Sequence, residues 1–557
     1  MPLMPEIRSD RAHSLADVRP ARPSPRARHV LRTLCATVVI GCQLLMPPAA
    51  RAQLLPGMGD GGEMTAAAER RLGDQIAREL YRDPDFIADP VLEAYVQDIW
   101  QRLLAAARLR GELTPELDER FAWTVLLGRD RSINAFALPG GYLGLHLGLI
   151  AVTDSPDELA TVLGHELSHV TQRHISRIMS KQSRQMPLLL AAMVLGMIAA
   201  GKSRNGDAGQ AVLMGSQAMA MQNQLSFSRD MEREADRIGF GVMTQAGFAP
   251  QGAASMFEKL QYASRLNDNG SYPYLRSHPL NSERISDMQG RFQFRATEGP
   301  TADAPPATGG TPAGTAPGTP RSPAVRALRM DHAMIAARAR VLSRPGVDAL
   351  RLGVQAASGP DFARAAPAQQ AGILYAAALA ACTQREFPQA QALAERLSAH
   401  VAGDAAAARL ARLLAAEIDL AGGAPARAAA RLDPKSKDEP EMLLAAQVAV
   451  AMRDPAPMVP PLRDWVAVHP KDASAWHTLG SLYAAQNDTL RAVRADAEAN
   501  VATLDYAAAR DRFRAAQELV RQGGGAAGVD HYEASIIDTR ARAVDALLKD
   551  QQADPPL

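Results

Sequence analysis

The sequence predicts a mainly α chain of the α+β kind: a helical domain around a small β-sheet over residues 53–295, then a helical-repeat solenoid over 325–550. Three observations carry that expectation. Alanine is abundant, above all after residue 320, and aromatics make up only 5%, a balance that favours packed helices over β-sandwiches. Apolar residues recur at helical spacing through the first domain, interrupted by a β-rich, glycine-punctuated run between 121 and 144. Residues 296–324 are almost wholly Pro, Gly, Ala and Thr; they cannot bury a core and read as a flexible linker at a domain boundary. With 557 residues, 47% of them apolar, the chain has material for several domains, and 61 basic against 60 acidic residues leave no field that would favour nucleic acid.

The elements follow in order. Residues 1–52 read as a secretory signal peptide: an Arg-rich start, an apolar run from Leu34 to Met46, and Ala50-Arg51-Ala52 as the cleavage site. Val39-Ile40-Gly41-Cys42 also has the look of a lipobox, but the apolar run continues past Cys42, which disfavours a lipidated start. With Cys35 and Cys42 in the leader, Cys382 stands alone, so neither a disulfide framework nor a thiolate metal cluster is available. Leu72, Ile76 and Leu80 predict a helix over 64–81, and Val91, Tyr95, Ile99 and Leu103 a second one opened by Asp89-Pro90. Phe121–Leu127 reads as a strand, and Asn134–Gly144, punctuated by Pro139-Gly140-Gly141, as a hairpin at a sheet edge. Helix resumes from Asp157. The apolar stretch Met186–Ala200, about 15 residues and so too short to span a bilayer, reads as a helix covering the site, or as one making shallow contact with a membrane surface.

In the array, Trp476-x2-Leu479-Gly480-x2-Tyr483 matches the first-helix signature of a tetratricopeptide (TPR) repeat. Ala509-x3-Phe513, with Ala516, fits the second-helix pattern, and Phe387, Ala390, Ala394 and Leu397 suggest a weaker earlier repeat.

Chemistry concentrates in His165-Glu166-Leu-Ser-His169. Positions i and i+4 share a helix face, so two imidazoles can reach one cation while Glu166 sits beside it as a general base. A tetrahedral zinc site needs one more protein ligand. Gln172 and Ile175 stand where a metzincin would have Gly and His, which excludes that class. His174, five residues past His169, is expected off the ligand face and at the surface. Glu232 and Asp236 share a face by the same spacing; Glu232 could close the site and Asp236 orient an imidazole, although a solvated charged face would have the same pattern. Glu234 points elsewhere.

With His-Glu-x-x-His followed about sixty residues later by Glu232-x-x-Ala235-Asp236, the chain resembles the gluzincin metallopeptidases that include HtpX and the CAAX prenyl proteases. Leu72-Gly73, Asn134-Ala135-Phe136, Phe227-Ser228-Arg229-Asp230, His278-Pro279 and Arg284-Ile285 resemble the exported, β-barrel-assembly-enhancing (BepA-type) branch with its C-terminal TPR domain. The likeness covers residues 64–295 by motif and the array only in kind. It implies a zinc metalloendopeptidase domain binding one Zn2+ per chain through His165, His169 and Glu232. Glu166 would be the general base, Asp236 the supporting acid, and Arg284 the group steadying Asp236 or the oxyanion. It further implies that His278 can take the open metal position and hold the enzyme latent, while a solvated loop histidine fits the sequence as well. The implied setting is the periplasm, with unfolded or stalled outer-membrane proteins as substrates, and with substrate or the β-barrel assembly machinery bound by the TPR domain. A chaperone-like TPR adaptor with a latent metal site is the alternative. The 296–324 linker and the N-terminal extension, where Met4 or a later residue could be the start, are long for that branch; the long linker weakens the expectation of tight packing of array on protease.

Overall fold

The computed structural model describes residues 64–181, 228–266, 273–297, 328–523 and 530–553. The leader, the apolar stretch 186–200, Ser226, Phe227 and all but the first two residues of the 296–324 linker lie outside the described residues. Helix α1 (Ala66–Arg82) begins where the Thr65 hydroxyl accepts the Ala68 N–H at 3.2 Å, and it buries Leu72, Ile76 and Leu80 as the spacing predicts. Helix α2 (Pro90–Leu109) is capped by Asp89, which accepts the Leu92 N–H at 2.9 Å, with Pro90 in the first turn where its missing donor costs nothing. Strand β1 (Phe86–Ile87) and helix α3 (Pro115–Arg120) were not expected from the sequence, being too short to leave a periodic signal.

Strands β2 (Thr124–Gly128), β3 (Ala135–Leu138) and β4 (Tyr142–His146) complete a four-stranded sheet in the order β1-β2-β4-β3. The expected hairpin is β3–β4, antiparallel with Ala135 opposite Leu145 and Leu138 opposite Tyr142. Its turn needs left-handed backbone at Gly140 and Gly141, φ +71° and +84°, which side chains disfavour. β4 lies parallel to β2, so β3 is an edge strand.

Helices α4 (Leu147–Val152), α5 (Pro156–Thr171), α6 (His174–Lys181), α7 (Arg229–Gln245), α8 (Gln251–Leu266), α9 (Tyr274–Ser277) and α10 (Ser282–Thr297) follow. Ser155 caps α5, its hydroxyl accepting the Glu158 N–H at 3.2 Å. Every residue of α5 is buried, so it is the central helix of the domain and its histidines are interior groups. Among the described residues, no helix is long and apolar enough to cross a membrane.

The array packs on this domain more intimately than the linker composition suggests. Helix α11 (Met330–Leu342) lies against α4 and α2, and one apolar cluster runs from Leu92 and Ile150 through Met334 and Ile335 to Leu414. Buried Arg338 makes two hydrogen bonds to Asp89, both 2.8 Å, two to Glu417 at 2.9 and 3.1 Å, and one to the Tyr375 hydroxyl at 3.0 Å. His332, which burial pushes down to about 4, contacts the Tyr95 hydroxyl at 2.7 Å and the Thr153 carbonyl at 3.0 Å.

One expectation for the array needs correction. The helix bearing Trp476 (Ala473–Ala485) packs on Thr489–Ala502, whereas Ala509, Phe513 and Ala516 belong to the helix after that, Tyr506–Arg521, and so not to its immediate partner. The intervening helix buries Ala495 and Ala499, small residues without the aromatic that the pattern looks for. Arg338→Met leaves Asp89 and Glu417 without their partner; a loss of about 3–5 kcal/mol, read from urea unfolding, is the expected outcome.

Candidate metal centre

Helices α5 and α7 cross at a glycine pair. A Cβ on Gly239 would lie 2.9 Å from the backbone of Gly164 and His165, so only glycine lets the two axes approach this closely. That contact brings the carboxylate of Glu232 against the imidazoles of α5. His165 Nε2 and His169 Nε2 stand 3.0 Å apart, and Glu232 lies 3.5 Å from each. His278, at the end of α9, adds a fourth donor: its Nδ1 is 3.3 Å from His165 Nε2 and 3.0 Å from Glu232 Oε1. All four side chains are buried, and their ligand atoms lie within 4.8 Å of one another. For metal–nitrogen bonds near 2.05 Å, ligand atoms at tetrahedral corners stand about 3.3 Å apart, close to the observed spacings.

The groups behind this cluster fix which atoms face inward. His165 Nδ1 donates to Asp236 at 2.9 Å. Arg284 holds Asp236 with two hydrogen bonds of 2.7 and 2.8 Å and also donates to the Pro279 carbonyl at 2.9 Å, next to His278. Arg284 Nη1 is 2.8 Å from Glu232 Oε2, an ion pair at an angle too poor for a hydrogen bond, which leaves that oxygen with a lone pair to give. Glu166 receives the Ala137 N–H of β3 on Oε2 at 3.0 Å, while Oε1 has no hydrogen-bond donor and lies 3.4 Å from His278 Nε2. Tyr274 stacks on His278 with centroids 4.6 Å apart.

The charge balance is that of a cation site. Burial opposes protonation of His165, but Asp236 and Glu232 outweigh it and push its pKa up to about 10; a bound cation can meet the same demand for positive charge. Burial and the neighbouring His165 hold His169 far below the usual imidazole range. Burial raises Glu166, partly offset by His278 and His165. Glu232 is held well below the ordinary carboxylate range: burial opposes this, and the charges and hydrogen bonds of His278 and His165 overcome it. With Nδ1 of His165 committed to Asp236, its Nε2 lone pair faces a second imidazole at 3.0 Å, which an ion between them would relieve. The residues present fit a divalent metal.

Residues 90–292 match the description of peptidase family M48. A β-barrel assembly-enhancing protease of Yersinia pestis is 30% identical over 439 residues, covering 78% of this chain and 81% of its own. The chain belongs to the β-barrel assembly-enhancing group of M48 metallopeptidases. The corresponding Escherichia coli protease is 35% identical over 270 residues, and a Vibrio cholerae relative 36% over 243. These two matches span about half of each relative, 52% and 47% of their lengths.

For an M48 chain, several groups around the centre carried no sequence signal. The Ala137 N–H lies on the expected hairpin, but nothing in its residue type marks it as the donor to Glu166. Tyr274 gives no signal at all. His174 is a correction: it is not a surface residue but fully buried, with Nδ1 2.8 Å from His169 Nδ1. A left-handed residue at Arg173, φ +52°, breaks α5 from α6, and this turn brings His174 back over His169 where a continuous helix would have carried it away. Glu234 does point away from the ligands, as expected, and lies 3.0 Å from both His174 and Arg177.

Asp236 is held below its ordinary pKa; burial opposes the shift, and Arg284 and His165 overcome it. Its stabilisation is therefore complete above about pH 3.9, the unfolded carboxyl value, and lost as pH falls through the depressed folded value. Asp236→Asn is expected to flatten this acid limb of a stability–pH curve and to weaken metal retention about 10- to 100-fold, measured by chelator competition.

Proposed function

We propose that this chain is an exported zinc endopeptidase that degrades misfolded or stalled β-barrel proteins in the periplasm, with the helical array binding substrate or assembly machinery. The observation that carries the reading is the convergence of His165, His169, Glu232 and His278 donors under a Glu166 carboxylate held by the sheet edge. Two or three imidazoles with a carboxylate suit zinc by ligand type. A bound zinc ion supplies Lewis acidity toward the scissile carbonyl and the attacking water.

The chain's own residues supply the rest. Glu166, fixed through Oε2 by Ala137, presents Oε1 to accept a proton from the attacking water and return it to the leaving amine. Its raised pKa suits both halves of that exchange. Strand β3 at the sheet edge offers an extended substrate a backbone to pair with, beside Glu166. Asp236 and Arg284 keep His165 in one tautomer and orientation.

A further reading rests on His278. Were all four donors to hold one ion, His278 would fill the position that a catalytic zinc keeps open for water or substrate. His278 then acts as a latch that must leave before cleavage, and in the latched state the chain serves as an adaptor through its array. The names of the relatives support the β-barrel substrate class. The leader pattern in the sequence supports export. Shallow contact with a membrane surface is compatible with this role; nucleic acid has no part in it.

Glu166→Gln is expected to keep its metal while casein cleavage falls by at least about 100-fold; undiminished turnover with intact metal overturns the peptidase mechanism. His278→Ala is expected to raise basal cleavage of the same substrate; a rate unchanged or lower excludes the latch.

A further inference from the structure

Each ligand imidazole on α5 is braced from behind, but the two braces differ. His165 reaches its carboxylate, Asp236, directly. His169 meets a second imidazole: His174 Nδ1 lies 2.8 Å from His169 Nδ1, and His174 Nε2 lies 3.0 Å from Glu234 Oε2. Arg177, on the same helix as His174, pairs with Glu234 at 3.0 Å, as Arg284 does with Asp236 behind His165. The chain of atoms has one consistent proton order when His169 ligates through Nε2. Its Nδ1 then carries hydrogen and donates to His174 Nδ1, which leaves the hydrogen of His174 on Nε2, pointing to the Glu234 carboxylate.

We propose that His174 and Glu234 are positioning residues of the metal centre: a two-step relay, carboxylate to imidazole to ligand imidazole, that fixes the tautomer and ring plane of His169 and raises its basicity toward the ion. Three acidic residues of one helix thereby serve one ion at three depths. Glu232 supplies a donor, Asp236 braces His165 at one remove, and Glu234, on the opposite side of α7, acts at two removes because the turn at Arg173 swings His174 into the gap. Full burial of His174 keeps water from competing for either of its nitrogens. Partial exposure of Glu234, 32%, makes it the member that can be altered without opening the core.

The inference rests on the proposed metal site but not on catalysis, so it is tested in the full-length chain carrying Glu166→Gln, which avoids self-cleavage. Zinc affinity is measured by chelator competition, ligand geometry by the visible spectrum after loading with Co2+, and folding by the melting temperature of the metal-free protein. His174→Ala and Glu234→Ala are expected to lose zinc affinity about 10- to 100-fold and to alter the Co2+ spectrum, with the metal-free melting temperature of Glu234→Ala near that of the parent. Glu234→Gln keeps an acceptor without the charge and is expected to fall between Glu234→Ala and the parent. Parental affinity and spectrum in both alanine variants overturn the relay, as does a change confined to the melting temperature. Should His174→Ala fail to fold, the two Glu234 variants decide by the same criteria. A parent that binds no metal overturns the metal-centre reading itself, an outcome distinct from failure of the relay.

Discussion

The structure depends on one unfavourable condition: four side chains able to hold a metal ion, and the Glu166 carboxylate beside them, are enclosed where water cannot satisfy them. His165, Glu166, His169, Glu232 and His278 are all nearly inaccessible. Lone pairs held a hydrogen bond's length apart in a medium of low polarity repel one another unless a cation or a proton stands between them. The domain is arranged so that this condition can be met. A central helix is buried along its whole length, a second helix is pressed on it through a glycine pair, and both α5 imidazoles have their Nδ1 atoms engaged from behind, His165 by Asp236 and His169 by His174.

Those backing contacts tie remote parts of the chain to the centre. Arg284 joins Asp236, Glu232 and the Pro279 carbonyl, so the brace of His165, the Glu232 carboxylate and the residue after His278 share one guanidinium. Glu166 is tied to a different part, the edge strand, through the Ala137 N–H. The edge strand thus holds the Glu166 carboxylate at one oxygen and leaves the other without a hydrogen-bond donor.

The helical array is fastened to the same scaffold. Arg338 binds Asp89, the residue that caps α2, and His332 contacts Tyr95 and the Thr153 carbonyl just before α5 begins. The composition of the linker suggested looser docking, but linker composition reports only on the linker. The surfaces that dock are set by alanine-rich faces and a few buried polar groups far apart in sequence, with no local pattern to announce them.

The sequence by itself determined the helix carrying His165, Glu166 and His169, the Asn134–Gly144 hairpin and the shared helix face of Glu232 and Asp236, because i, i+4 spacing and turn glycines are local properties of the chain; His278 and Arg284 were reached only through the family resemblance. It also located the tryptophan-bearing helix, though not its partner, which buries mostly alanine. Only the tertiary structure decided that His174 is buried behind His169, that Ala137 holds Glu166, that Tyr274 stacks on His278 and that the array shares a core with the peptidase domain. The physical reason is common to all four. Each depends on a chain reversal or a helix crossing, and the direction in which the backbone leaves a turn such as the one at Arg173 is settled by what packs around it, not by the residues that make it.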